Sequence, residues 1–170
     1  MGKYRTEIKW ALIFVLLVLI WMTMERLAGL HSDHIGQHPL YTNFIAIPAT
    51  AVYVLALLDK RKKVYRGQMN YLQGFVTGLG ITLLVTLLSP LTQVLVSKVI
   101  TPEYFQNAIH YAVSTGKMQQ AAAEAYFNLN NYMMQGLIGT PVMGVLTSAA
   151  VAFFTRSRHT NTTKGQAGIA

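Results

Sequence analysis

No cysteine occurs among the 170 residues, which excludes disulfides, iron–sulfur clusters, Cys-ligated zinc and a thiol nucleophile in any compartment. Charge is scarce too. Asp, Glu, Lys and Arg make up 12% of the chain, half of the roughly 25% of an ordinary soluble domain, which is too little to cover a water-facing surface. Acidic residues are the scarcer sign, 6 against 14 Lys and Arg, leaving a net charge of +8. A nucleic-acid reader spreads its basic residues over a solvated surface, whereas here they fall between long uncharged stretches. Nucleic acid is therefore not expected as a partner. No phosphate-binding glycine loop, nucleophile elbow or HExxH occurs, so the chain is expected to be neither an enzyme nor dependent on a cofactor.

What fills the space is hydrophobic sequence, 52% of the residues. WALIFVLLVLIWMTM from Trp10 to Met24 carries no charge and, with its flanks, is long enough for a ~30 Å hydrocarbon core. The basic residues before it resemble a signal-peptide n-region, but the run is long and no small-x-small site follows it cleanly, so it is read as an uncleaved anchor. The expected fold class is all-α, a polytopic membrane protein in the lipid bilayer. A single four-helix transmembrane domain over 1–155 has spans at about 9–29, 42–58, 74–98 and 132–154, and a polar tail over 156–170 is expected to be disordered.

Basic residues are retained on the cytoplasmic side of a span. Lys3, Arg5, Lys9, Lys60, Arg61, Lys62, Lys63, Arg66, Arg156, Arg158 and Lys164 lie at one set of span ends, and Arg26, Lys98 and Lys117 at the other. This predicts an inner-membrane protein with both termini cytoplasmic. The DKRKK run from Asp59 to Lys63 can also meet anionic headgroups, but topology alone accounts for it. Asn161-Thr162-Thr163 matches a glycosylation acceptor that a cytoplasmic tail would not present to the machinery.

Helices in lipid associate through small residues and interhelical polar contacts. Gly74, Gly78, Thr82 and Thr86 in the third span, and Gly136, Thr140, Gly144 and Ser148 in the fourth, recur every four residues. The two stripes are expected to face each other. Pro48, Pro90 and Pro141 fall inside spans and remove backbone donors, leaving the carbonyl near Thr86 in need of a partner. Between the last two spans, Thr101-Pro102-Glu103 starts a short helix, Ser114-Thr115-Gly116 ends it, and the apolar spacing from Met118 to Met133 predicts an amphipathic helix leading into the fourth span.

The first outer turn, ERLAGLHSDHIGQHP from Glu25 to Pro39, is unusually rich in histidine. On a continuous helix His31, His34 and His38 would share a face and form a three-imidazole metal site or a protonation switch. Glu25 and Asp33 complete the candidate outer polar site, with Glu103 and His110 also on that side. Gly36 and Pro39 argue against an unbroken helix, which leaves a plain interfacial loop as the competing reading. Glu25 can alternatively reach the headgroups or pair with Lys98. No carboxylate or lysine falls mid-span, which speaks against a proton-coupled pump.

The segments WxxxERxxGLHxxHIxxHPLYTNFIAIPA from Trp21, VYVLALLDKRKK from Val52, MNYLQGF from Met69, LSPLTQ with VITPEYF from Leu88, and AEAYFNLNNY from Ala123 together resemble the bacterial membrane family catalogued as domain of unknown function 4199. The resemblance implies a four-span protein and brings no catalytic role to any residue. Two functions follow as expectations. One is a non-enzymatic membrane protein acting through helix contacts with a membrane-protein partner or as a homo-oligomer; the other is a metal- or pH-responsive protein or small permease using the outer histidines.

Overall fold

The computed structural model describes residues 4–157, which are helical with no strand among them. Lys3, Arg158, Lys164, the glycosylation acceptor and the expected disordered tail from 158 onward lie outside those residues, whereas Ser157, the second residue of that tail, bonds to the Met69 backbone. Helix α1 is Arg5–Leu27, α2 is His38–Tyr41 and α3 is Ala46–Lys63. Short 3-10 turns at Ile35–Gln37 and Thr42–Ile45 join α2 to its neighbours. Helix α4 is Tyr71–Leu95, prolonged by a π turn over Val96–Ile100, and it is followed by α5 Tyr104–Ser114, α6 Gln120–Tyr126 and α7 Leu129–Thr155. Four segments, containing α1, α3, α4 and α7, are long and apolar enough to cross a membrane.

Local sequence sets the boundaries. Asn70 accepts from the Gln73 N–H while the Gln73 side chain accepts from the Asn70 N–H, and this reciprocal capping box starts α4. Asn128 caps α7 by accepting from the Asn131 N–H at 2.9 Å. That cap corrects the expectation of one helix running through Met118 to Met133: Asn128 has extended backbone, so α6 and α7 are separate. Apolar periodicity carried the expectation, and a local side-chain to backbone bond overrides it.

Helices α4 and α7 form the most extensive contact, in antiparallel register. A Cβ on Gly78 would lie 2.5 Å from Ser148 Oγ, one on Gly144 2.3 Å from Thr82 Cγ2, and one on Gly74 3.2 Å from Ala152 Cβ. Gly136 meets Ser89 across the same interface at 3.4 Å. Each step of four along α4 is thus matched by a step of four back along α7, and side chains where the glycines stand would hold the backbones apart. The α4 hydroxyls bond their own helix, while the buried Ser148 Oγ on α7 has no hydrogen-bond partner. Thr82 donates to Gly78 O and Thr86 to Thr82 O, while Ser89 donates at 2.8 Å to the Thr86 carbonyl that Pro90 leaves without an N–H partner.

Helix α1 packs on α4 and α3, and α3 also packs on α7. The core of Ala11, Tyr53, Ala56, Leu57, Ile81, Val85, Val151 and Ala152 lies toward the end that carries the termini. Leu12, Leu16, Ile20 and Met24, four apart on α1, are exposed, as are Leu83, Leu87 and Leu91 on α4. Lipid solvates such faces at no cost, so the apolar outside belongs to a membrane environment.

The terminal end also holds a buried ion pair. Lys60, 2% exposed, places Nζ 2.7 and 2.9 Å from the two Glu7 carboxylate oxygens. Gly80 faces Glu7, where an added Cβ would come within 3.3 Å of Glu7 Cγ. Trp10 donates to Asp59, and Arg61 donates to the Thr155 carbonyl in the last turn of α7. Part of the DKRKK run therefore ties helices together, which its reading as a topology signal alone did not include.

Candidate functional site

At the opposite end the histidine-rich turn after α1 folds back on that helix. The helix stops at Leu27, and Gly29, at φ +74, takes the left-handed conformation that only glycine adopts without strain. The reversal returns His31 to the helix it has just left. His31 Nε2 lies 3.2 Å from Glu25 Oε2, and His38 Nε2, from the first residue of α2, lies 3.4 Å from the same oxygen. The other carboxylate oxygen accepts from Trp21 Nε1 at 2.6 Å, a bond set by their i,i+4 spacing on α1.

Helix α5 closes the cluster. The Tyr104 ring centroid is 5.1 Å from that of His31 and 5.3 Å from that of His38, so it packs against both imidazoles. Its hydroxyl is 3.5 Å from His38 Nδ1 and 3.2 Å from the Tyr132 hydroxyl. Burial pushes the Tyr104 phenol above its usual range, with the Tyr132 bond acting the other way, so it stays protonated. Asn107 donates to the His31 carbonyl at 2.9 Å, fixing the turn against α5. Gly36 lets Tyr111 approach, since a Cβ there would stand 2.6 Å from its hydroxyl.

Glu25 is 3% exposed and His31 5% exposed. A carboxylate this buried is costly unless its oxygens are satisfied, and here the indole and two imidazoles do so. Arg26, its neighbour, turns away to donate to the Ile100 carbonyl. His31 Nδ1 is buried with no hydrogen-bond partner. One donor atom from each of Glu25, His31 and His38 fits within 4.8 Å of the others, a geometry able to hold a metal ion.

Three sequence expectations change. His34 does not join the other histidines: the chain leaves the helix at Gly29, so 31 and 34 no longer share a face, and His34 is exposed beside Gly29. Asp33 is exposed and outside the cluster, as are Glu103 and His110. Glu25 neither reaches the headgroup region nor pairs with Lys98; it turns inward to the histidines and becomes the third ligand-capable group. Trp21, Tyr104 and Tyr132 were not anticipated. The Trp21-x3-Glu25 spacing was a usable signal for the first, but nothing local marks the two tyrosines, which only the tertiary fold brings in.

Two openings flank the cluster. A polar recess of about 150 Å³ outside it is lined by Arg26, Ser32, Glu103 and Asn107 along with His31 and Tyr104. A cavity of about 60 Å³ below it is lined by His31, His38, Gln93, Ser97, Tyr104 and Tyr132 among others.

Four apolar spanning segments and a polar centre at one end define a helical, multi-pass membrane protein. The chain matches over residues 9–157 the family described as Protein of unknown function (DUF4199), and it belongs to that family. No curated protein and no solved structure matches it.

Proposed function

We propose that the protein is a non-enzymatic, multi-pass protein of the cell inner membrane that binds a divalent transition metal of the zinc class through Glu25, His31 and His38. The convergence of these three groups carries the reading. Zinc takes His nitrogen and carboxylate oxygen at about 2.0–2.2 Å, which puts tetrahedral ligands roughly 3.3 Å apart. The His31–Glu25 and His38–Glu25 distances of 3.2 and 3.4 Å match that spacing, and the three ligand atoms, which lie within 4.8 Å of one another, would draw in around the ion. Three protein ligands leave one position open. A bound cation would neutralise Glu25 and tie α1, α2 and, through Tyr104, α5 together, so occupancy would be felt by the outer α5–α6 segment.

Both termini are cytoplasmic in this reading because eleven of the fourteen basic residues lie at the terminal end. An impermeant maleimide should label Gln106→Cys in intact cells and Gln68→Cys only after permeabilisation; the reverse pattern would invert the protein. The reading as a non-enzyme rests on the missing catalytic motifs. Action through a membrane-protein partner or a second copy has less support, since the small-residue stripes are taken up within the α4–α7 pair. A permease is disfavoured by the close-packed core between the centre and the terminal end.

Zinc content of the purified protein tests the metal reading. About one equivalent should survive gel filtration in the parent and in His34→Ala, and be lost in Glu25→Gln, His31→Ala and His38→Ala. A metal-free parent after zinc loading, or equal loss in His34→Ala, would overturn it.

A further inference from the structure

The centre adjoins apolar space between the spanning helices. Below the 60 Å³ cavity a second one of about 160 Å³ shares Met22, Gln93, Val96 and Tyr132 with it. The two stand side by side against these four residues. The lower cavity is an apolar crevice, walled by Phe14 and Val18 on α1, Val85 and Ser89 on α4, and Gly136 and Thr140 on α7. It exists because α1 and α7 both pack on α4 in this half but scarcely touch each other. The absent side chain of Gly136 helps keep it open.

The combined space changes character along its length. Its lower part is hydrocarbon in kind. Its upper part presents Gln93, Ser97, Thr101, Tyr104 and the two histidines, a mixture of neutral donors and acceptors. His31 Nδ1, buried and without a partner, belongs to a residue of this upper wall and calls for a hydrogen-bonding group from a ligand.

We propose that these two adjoining cavities join to bind a neutral, single-chain amphiphile from the outer leaflet, with a hydroxyl- or carbonyl-bearing head against His31, His38 and Tyr104 and its chain in the crevice between α1, α4 and α7. One narrow crevice admits one chain, so a two-chain phospholipid does not fit. A neutral head is favoured because Glu25 places a negative charge directly behind the histidines, which would repel an anionic head when no metal is bound. The proposal goes beyond the metal reading and does not depend on it, so it is tested on chelated protein.

The full-length protein, stripped with EDTA and reconstituted in phospholipid nanodiscs, is exposed to a monoacylglycerol whose chain carries a photoactivatable diazirine. Saturable labelling of crevice residues on α1, α4 and α7 is expected. Excess unlabelled monoacylglycerol should suppress it, while a fatty acid of the same chain length should compete at least about tenfold less well. Val18→Trp and, as a second filling variant, Val15→Trp, both on the crevice wall, should each reduce crevice labelling about tenfold while keeping the helical content and unfolding temperature of the parent. Those two readouts show that the bundle still folds. His38→Ala should weaken head selectivity and leave chain labelling in the crevice. Labelling that rises linearly with probe and spreads evenly over Leu16, Leu83 and Val145 would mean bulk lipid and overturn the proposal, as would equal or better competition by the fatty acid. Crevice labelling unaffected by either filling variant would overturn it too. Loss of zinc binding in the parent alone would sink only the metal reading.

Discussion

Glu7 and Glu25 stand 18 residues apart on α1, about five turns, so the two carboxylates project on the same face at opposite ends of the span. Both are buried, and they are compensated differently. Glu7 meets the fixed charge of Lys60, whereas Glu25 meets an indole and two imidazoles, of which the imidazoles can exchange a proton for a metal. The Glu7–Lys60 pair is therefore read as structural and the Glu25 group as the functional one. Lys60→Met should leave Glu7 buried and unpaired, a loss of about 3–5 kcal/mol in unfolding free energy in detergent. Joining it to Glu7→Leu should recover most of that loss. A Lys60→Met protein as stable as its parent would show that the pair carries no such constraint. Of these residues, the sequence made Glu25 visible at a span end and His31 and His38 visible by type. It could not reveal that Glu25 turns inward, because that depends on the left-handed Gly29 and on Tyr104, which arrives from 79 positions away.

The helical elements were easier to read than the site because their signals are local. Apolar runs, the Asn70 and Asn128 caps and the Pro102 turn each act within a few residues, and the four-residue stripe on α4 found its counterpart on α7 because antiparallel helices share one repeat. Where one helical repeat was carried across a break in the chain's helix, the expectation failed. The apolar spacing across 118–133 suggested one helix, but it is divided at Asn128. Histidine spacing across the Gly29 turn likewise implied a face that does not exist. Within α7 the glycines are not equivalent. Gly144 lies against Thr82, whereas a Cβ on Gly139 would meet nothing within 4 Å. Gly144→Leu should force α4 and α7 apart and destabilise the protein by about 1–3 kcal/mol. Gly139→Ala should be neutral or slightly stabilising in the same thermal unfolding assay. Equal tolerance at the two sites would mean that the stripe does not set the interface.

Across the whole molecule, packing and polarity divide between the two ends. The terminal end holds the dense core, the Glu7–Lys60 pair and most of the basic residues. The opposite end is looser, with cavities, few basic residues, the buried Glu25 and His31 and the half-buried His38. The low charge content and the +8 excess, which taken alone would suit a nucleic-acid partner, follow from four uncharged spans and the basic ends that orient them. The centre sits where α1, α2 and α5 meet, so a ligand bound there can bias the outer segment without moving the packed terminal end. Cobalt(II) substitution tests this central claim most directly, because its visible absorption reports coordination by His nitrogen and carboxylate oxygen. The account predicts a saturable, intense tetrahedral spectrum at one equivalent, displaced by zinc, kept in His34→Ala and abolished in Glu25→Gln and His38→Ala. A weak octahedral spectrum like that of aqueous cobalt, unchanged by Glu25→Gln, would contradict it.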